Sequence, residues 1–180
     1  MLDIGCGMGA FLKEARGGGA RVAGIEIDPR AAEACATAGL SVTSGSIFET
    51  TLPEGPWDLV TFWDVLDQLE DPPEALRLAA RGLAPGGLLL ARGRNALLHA
   101  PAKKAARRLA RWAPALPDPA VVHRWGLRPA GWLAMLRRIG LAEACLHPGL
   151  PARLYLLPSV LVTATRSPGA AAGRARVSAR

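Results

Sequence analysis

Acidic residues all but disappear from the second half of this 180-residue chain. Between His99 and Arg180 there are two, against fourteen Lys and Arg, a net of +12, whereas between Met1 and Leu98 thirteen acids outweigh eight bases, a net of −5. A basic half either attracts phosphate, nucleic acid or an anionic membrane surface, or forms a solvated Arg-rich face. Cysteine is scarce too. Cys6, Cys35 and Cys145 are scattered and odd in number, which argues against a disulfide framework and against a zinc site and leaves free thiols. No apolar run reaches the ~18 residues of a membrane span, and Met1 is not followed by the charged and apolar stretches of a signal peptide. The expected location is the cytoplasm. Aromatic residues make up 5% of the chain, and no ordered row of them accompanies the basic residues as it does in single-strand binders, so nucleic acid is not an expected partner.

Glycine and alternating apolar segments are what the chain has in quantity. Leu2-Asp3-Ile4 runs into Gly5-Cys6-Gly7-Met8-Gly9 and then into a helix-compatible segment, Ala10 to Arg16. A strand, a tight turn and a helix N-terminus in that order make a ligand-binding corner, because glycine tolerates positive φ and lets backbone approach a ligand. Gly17-Gly18-Gly19 ends the helix, and Arg21 to Glu26 reads as a buried strand ending in a carboxylate. Asp28 and Pro29 open the next helix as N-cap and N1. Leu40 to Thr43 and Trp57 to Trp63 are further strands, and Asp71-Pro72-Pro73-Glu74 starts a helix through Arg81. Ala84-Pro85-Gly86-Gly87 reads as a turn into a fifth strand, Leu88 to Ala91.

This alternation predicts an α/β fold: a Rossmann-like, doubly wound, mostly parallel sheet in a three-layer α/β/α sandwich. Beyond Leu98 the pattern changes. Lys103, Lys104, Arg107, Arg108 and Arg111 share one side of a helix predicted over 101–112, and Ala105, Leu109 and Trp112 share the other. Pro129 to Arg138 forms another helix, and Leu141 to Leu146 and Leu154 to Thr165 form a closing antiparallel strand pair. The expected organisation is one domain over 1–166, with 96–127 as an inserted, substrate-side segment, and a disordered tail over 167–180.

In such sheets ligands sit beyond the strand C-termini, where Gly5 and Glu26 fall. Gly5, Gly7 and Ala10, with Glu26 roughly 20 residues on, also fit a dinucleotide fingerprint. Taken alone, the glycines do not choose between an oxidoreductase binding NAD and other nucleoside-cofactor enzymes. The wider set of motifs resembles the class I S-adenosylmethionine-dependent methyltransferases, in particular those that methylate small molecules in ubiquinone biosynthesis. Leu2-Asp3-Ile4-Gly5-Cys6-Gly7-Met8-Gly9 is similar to their first motif, Gly24-Ile25-Glu26-Ile27-Asp28-Pro29 to the second strand end, and Gly45-Ser46-Ile47 to the loop beside the adenine. The stretch Phe62 to Pro72 resembles the motif after strand four, and Leu83 to Gly87 the turn before strand five.

The resemblance implies S-adenosylmethionine as cofactor, contacted by Asp3, Gly5, Cys6, Gly7, Glu26, Ile27, Ser46, Ile47 and Asp64, with Glu26 on both ribose hydroxyls. It implies no metal. The acceptor would be a small molecule, methylated at oxygen, and His123, before Arg124-Trp125-Gly126, is the candidate general base. Trp63, Trp125 and Trp132 are core residues or line the acceptor site, and His99 and His147 have no expected role. The basic helix 101–112 offers peripheral contact with an anionic membrane.

Two departures from the family pattern carry expectations of their own. Ser46 stands where an acid often follows the glycine of the adenine loop, which leaves a degenerate, non-catalytic domain as the competing reading. The first strand begins almost at Met1, which reads as an N-terminal truncation with weak cofactor affinity or inactivity.

Overall fold

β1 (Leu2–Ile4) is three residues long, buried throughout, and interior to the sheet. In the computed structural model, which describes residues 1–96, 125, 128–147 and 159–167, it pairs in parallel with β2 (Ala23–Glu26) on one side and β4 (Trp57–Trp63) on the other. β3 (Val42–Ser44) adds beyond β2 and β5 (Leu83–Arg94) beyond β4, both in parallel. β7 (Ser159–Thr165) runs antiparallel to β5, and β6 (Ala142–Leu146) antiparallel to β7, giving a seven-stranded sheet of order β3-β2-β1-β4-β5-β7-β6. The doubly wound, mostly parallel sheet with a closing antiparallel pair is thus observed. The predicted basic helix 101–112, His99, His123 and residues 168–180 lie outside the described residues.

Strand register sorts the side chains onto two faces. Leu2, Ile4, Ala23, Ile25, Val60, Phe62, Leu89, Ala91, Val162 and Ala164 line one of them. They form a continuous core with Ala75, Leu76 and Ala79 of α3 (Pro72–Gly82) and Trp132 and Leu136 of α4 (Pro129–Arg138). Gly93 of β5 has no side chain because the Trp132 ring fills that volume, 2.4 Å from where a Cβ would stand. The second face carries a row of smaller or polar groups, Gly24, Asp3, Thr61, Leu90, Thr163 and Cys145. Leu12 of α1 (Ala10–Gly17) and Cys35 of α2 (Pro29–Thr37) cover its β1–β2 end together with Cys6 and Leu40.

The helix starts follow from capping chemistry. Asp28 accepts a hydrogen bond from the Arg30 N–H at 2.9 Å, and Asp71 from the Glu74 N–H at 2.9 Å, each with proline at the first helical turn.

The fifth strand differs from the sequence expectation. Instead of a turn followed by a short strand, β5 runs from Leu83 to Arg94, and the four residues Ala84 to Gly87 bulge out of it. Trp57 pairs with Leu83 and Leu59 with Leu88, so Asp58 alone spans the gap on β4. The bulge closes on the end of β7: the Gly86 N–H donates to the Arg166 carbonyl at 2.9 Å and the Arg166 N–H to Gly87 at 3.0 Å. Two strands also start later than expected, β3 at Val42 and β2 at Ala23.

Candidate functional site

A cleft of about 290 Å³ opens beyond the C-terminal ends of β1, β2 and β4. That volume is at the lower edge of the roughly 300–1,000 Å³ of small-molecule sites. Its floor is Ile4, Gly5 and Ile25; one side is Glu26 and Ile27 with Gly45, Ser46 and Ile47 from the loop after β3; the other is Trp63, Asp64, Val65, Gln68 and Leu69 from the loop after β4.

Glu26 is the organising side chain. Its residue is 8% exposed, and each carboxylate oxygen takes one backbone N–H: Oε2 from Gly7 at 2.7 Å and Oε1 from Asp28 at 2.9 Å. A carboxylate offers about four acceptor sites, so about two are left on a residue that lines the cleft. The bond from Gly7 ties the glycine loop to the end of β2. Gly5 and Gly7 both take positive φ, +72° and +53°. A Cβ on Gly5 would stand 2.7 Å from a Val65 methyl, whereas nothing lies within 4 Å of one on Gly7. Gly5 therefore lets the post-β4 loop close onto β1, and Gly7 leaves open space beside the carboxylate.

The loop's donors are largely turned inward. The N–H groups of Gly5 and Cys6 go to the Ile25 carbonyl at 2.8 and 3.3 Å, and that of Gly9 to Cys6 at 2.9 Å. A pyrophosphate needs such groups pointed at it. Here Gly7 gives its N–H to a carboxylate, which places negative charge where a dinucleotide would bring more. A ribose diol donating to Glu26, attached to a cationic sulfonium in a net acidic half, fits the same arrangement.

Six of the nine residues expected at the cofactor line the cleft: Gly5, Glu26, Ile27, Ser46, Ile47 and Asp64. Gly7 borders it through its bond to Glu26. Ile27 stands 71% exposed, while Ile47 is buried and continues into the main core, so the two isoleucines contribute an open rim and a fixed wall. The Ser46 hydroxyl accepts from the Phe48 N–H at 3.3 Å.

Asp3 and Cys6 are placed elsewhere. Asp3 lies within the sheet and accepts from the Thr61 hydroxyl at 2.7 Å. Burial raises its carboxyl to about 6, against the lowering effect of that hydrogen bond and with a smaller upward push from the Glu26 charge. The Cys6 side chain turns away from the cleft into the cluster with Leu12, Cys35 and Leu40, because Gly24 leaves it room. Burial and the neighbouring Cys35 push its thiol up to about 12.

The three tryptophans separate. Trp63 lines the cleft and meets Phe11 edge-on at 5.0 Å; Trp132 is core. Trp125 is exposed, yet it is pinned to the post-β4 loop, its backbone N–H on Asp67 at 3.1 Å and its indole N–H on Leu69 at 2.8 Å.

Sequence reasoning missed two features. Arg92 of β5 forms an ion pair with Asp64 and lies 5.3 Å above the Trp63 ring. His147 shares the Thr163 hydroxyl at 2.6 Å and the Cys145 sulfur at 3.5 Å. Both depend on which strands pair, and the only sequence signal for them is the β4–β5 and β6–β7 neighbourhood. Among the described residues no group of three His, Cys, Asp or Glu is placed to hold a metal ion, and no helix is long and apolar enough to cross a membrane.

Comparison with known proteins bears on the same cleft. Residues 1–145 match a family described as a methyltransferase domain. A ubiquinone biosynthesis O-methyltransferase from Caulobacter sp. (strain K31) is 35% identical over 123 residues, which cover 63% of this chain and 49% of that protein. The chain thus spans about half the length of the curated relatives it matches.

Among solved structures, an S-adenosylmethionine-dependent methyltransferase from Mesorhizobium loti superposes with a TM-score of 0.68 at 20% identity, covering 92% of this chain and 89% of the other. Human N-acetylserotonin methyltransferase, solved in complex with S-adenosylmethionine, superposes at 0.64 with 20% identity, covering 93% and 47%. These two likenesses show the fold. The family match over residues 1–145 shows the rest: the chain belongs to the class I S-adenosylmethionine-dependent methyltransferases.

Proposed function

We propose that the chain transfers the methyl group of S-adenosylmethionine to oxygen on a small-molecule acceptor. The observation that carries this reading is Glu26, a carboxylate fixed by two backbone N–H groups at the end of β2 that lines the cleft with acceptor capacity to spare. The 35% identity to a protein named as an O-methyltransferase supports the choice of oxygen. When bound, the cofactor supplies a methyl group on a sulfonium, open to in-line displacement, so orientation of the acceptor contributes much of the acceleration.

In this reading Glu26 accepts from the two ribose hydroxyls, and Gly5 and Gly7 leave room for the methionine portion. Ile27 and Ile47 flank the adenine, with Ser46 beside it. Asp64 faces the cofactor from the opposite wall. Asp3 and Cys6 act one layer back, Asp3 by holding β1 against β4 through Thr61 and Cys6 by filling the space behind the loop. The proton leaving the acceptor hydroxyl passes to His123; Trp125, two residues later in the chain, is anchored to the loop that lines the cleft, which supports that assignment.

The test is transfer of a tritiated methyl group from S-adenosylmethionine to a panel of hydroxyl-bearing small molecules. Labelling of an acceptor by the wild-type chain and none by Glu26→Ala would support the reading, and would overturn the expectation of inactivity drawn from the short first strand. Wild-type protein that binds the cofactor and labels nothing supports the degenerate reading raised by Ser46 instead. If an acceptor is found, His123→Ala is expected to lose the ascending limb of the pH–rate profile near neutrality; an unchanged profile removes His123 as the base.

A further inference from the structure

The β4 side of the cleft is held by a device unlike the one at β2. Asp64 follows the last residue of β4 and takes φ +56°, a left-handed conformation uncommon outside glycine, though aspartate tolerates it better than most residues. Its backbone and side chain are secured at three points. The N–H donates to the Arg92 carbonyl at 3.0 Å, its carbonyl accepts from the Gln68 side-chain amide at 2.6 Å, and its carboxylate pairs with the Arg92 guanidinium. Arg92 is opposite Trp63 in the β4–β5 register, and its guanidinium lies over the Trp63 ring. One β5 residue therefore reaches both consecutive residues, Trp63 and Asp64, at which β4 turns into the cleft wall.

We propose that Arg92 is a positioning residue for this cleft: by holding the Asp64 carboxylate and covering the Trp63 face, it keeps the left-handed turn that sets Asp64, Val65 and Gln68 along the wall opposite Glu26. The inference rests on the reading of the cleft as the cofactor site. Strained backbone persists where surrounding contacts over-determine it, and such positions cluster at ligand sites. Without the Arg92 side chain the turn keeps the bond from the Asp64 N–H to the carbonyl of residue 92 and the bond from the Gln68 side-chain amide, and loses its guanidinium anchor, so the wall is loosened rather than dismantled. Both partners are substantially exposed, with side-chain exposures of 45% for Arg92 and 41% for Asp64. An exposed pair contributes little by charge alone, so the expected effect is small and lies in orientation.

The experiment titrates S-adenosylhomocysteine calorimetrically into the wild type, Arg92→Ala, Arg92→Lys, Asp64→Asn and the Arg92→Ala/Asp64→Asn double variant, with Glu26→Ala as reference and melting temperatures recorded for each. Arg92→Ala is expected to weaken binding about three- to five-fold without lowering the melting temperature by more than a few degrees, and Arg92→Lys to recover most of that loss. Asn tolerates the left-handed conformation, so Asp64→Asn tests the charge without disturbing the turn. The double variant is expected to be no worse than the worse single variant, because one residue acts through the other.

Independent, multiplying losses in the double variant, or wild-type affinity in Arg92→Ala while Glu26→Ala has lost binding, overturn the positioning role and leave the cofactor reading standing. Unchanged affinity in Glu26→Ala overturns the cofactor reading, and this inference with it. If Arg92→Ala fails to fold, Asp64→Asn decides: a three- to five-fold loss of affinity supports the positioning role, and wild-type affinity overturns it.

Discussion

The two walls of the cleft are built on different principles. On the β2 side a nearly buried carboxylate is fixed by two backbone N–H groups, and the glycine loop is pinned to it through one of them. On the β4 side a strained aspartate is steadied by an exposed ion pair and an aromatic face. Charge-assisted bonds in a low-dielectric setting are short and strong, whereas an exposed pair is screened and adjustable. In the proposed reading, the difference gives the cofactor a fixed anchor at β2 and a more adjustable wall at β4.

Glu26→Ala breaks the stiff wall outright. It deletes the acceptor for Gly7 and Asp28 as well as the sites facing the cleft, and hydrogen bonds to charged groups contribute about 1.5–3 kcal/mol each. Affinity for S-adenosylhomocysteine is expected to fall at least ~100-fold by calorimetry.

Asp3 tests how far that wall depends on the sheet behind it. Its carboxyl is raised from 3.8 to about 6 in the folded chain. The folded state therefore holds a proton on Asp3 that the unfolded state has released, and the contribution of Asp3 to stability falls as the pH rises from 3.8 to about 6. Asp3→Asn removes that dependence. Urea unfolding across this range is expected to show the variant gaining on the wild type, by roughly 3 kcal/mol at the upper end. A parallel pair of stability curves would contradict the account of Asp3.

Gly5→Ala strikes the seam between the walls. The new methyl group stands 2.7 Å from Val65, on a backbone with φ +72°, so about 2 kcal/mol of stability should be lost, read as a drop in melting temperature, together with affinity. Truncating Val65 to alanine in the same chain should return part of it. The smallest effect is that of raised salt on the adaptable wall. Increasing ionic strength from ~0.05 to ~0.5 M should shrink the affinity gap between wild type and Arg92→Ala toward unity, while the gap to Glu26→Ala persists.

The stiff wall was legible in the sequence; of the adaptable one Asp64 and Trp63 were, but not the Arg92 contacts that hold them, for a physical reason. Gly5, Gly7 and Glu26 sit at the ends of adjacent strands joined by one short helix, so spacing along the chain already places them together. Arg92 and Asp64 meet across β4 and β5 after an intervening helix, and β5 reaches its register only by bulging four residues out opposite Asp58. Nothing in Ala84-Pro85-Gly86-Gly87 says whether it ends a turn before the strand or interrupts the strand itself; pairing with β7 decides that. The direction of the Cys6 side chain was similarly out of reach, since it depends on the space left by Gly24 across the sheet.

The central claim is that Glu26 binds the ribose hydroxyls of S-adenosylmethionine. It is tested most directly by titrating S-adenosylhomocysteine and its 2′,3′-dideoxyribose analogue into wild type and Glu26→Ala. The account predicts that wild type prefers the hydroxylated ligand by at least ~30-fold and that the variant binds both alike and weakly. Equal affinity of the wild type for the two ligands, or a preference of the same size in Glu26→Ala, would contradict it.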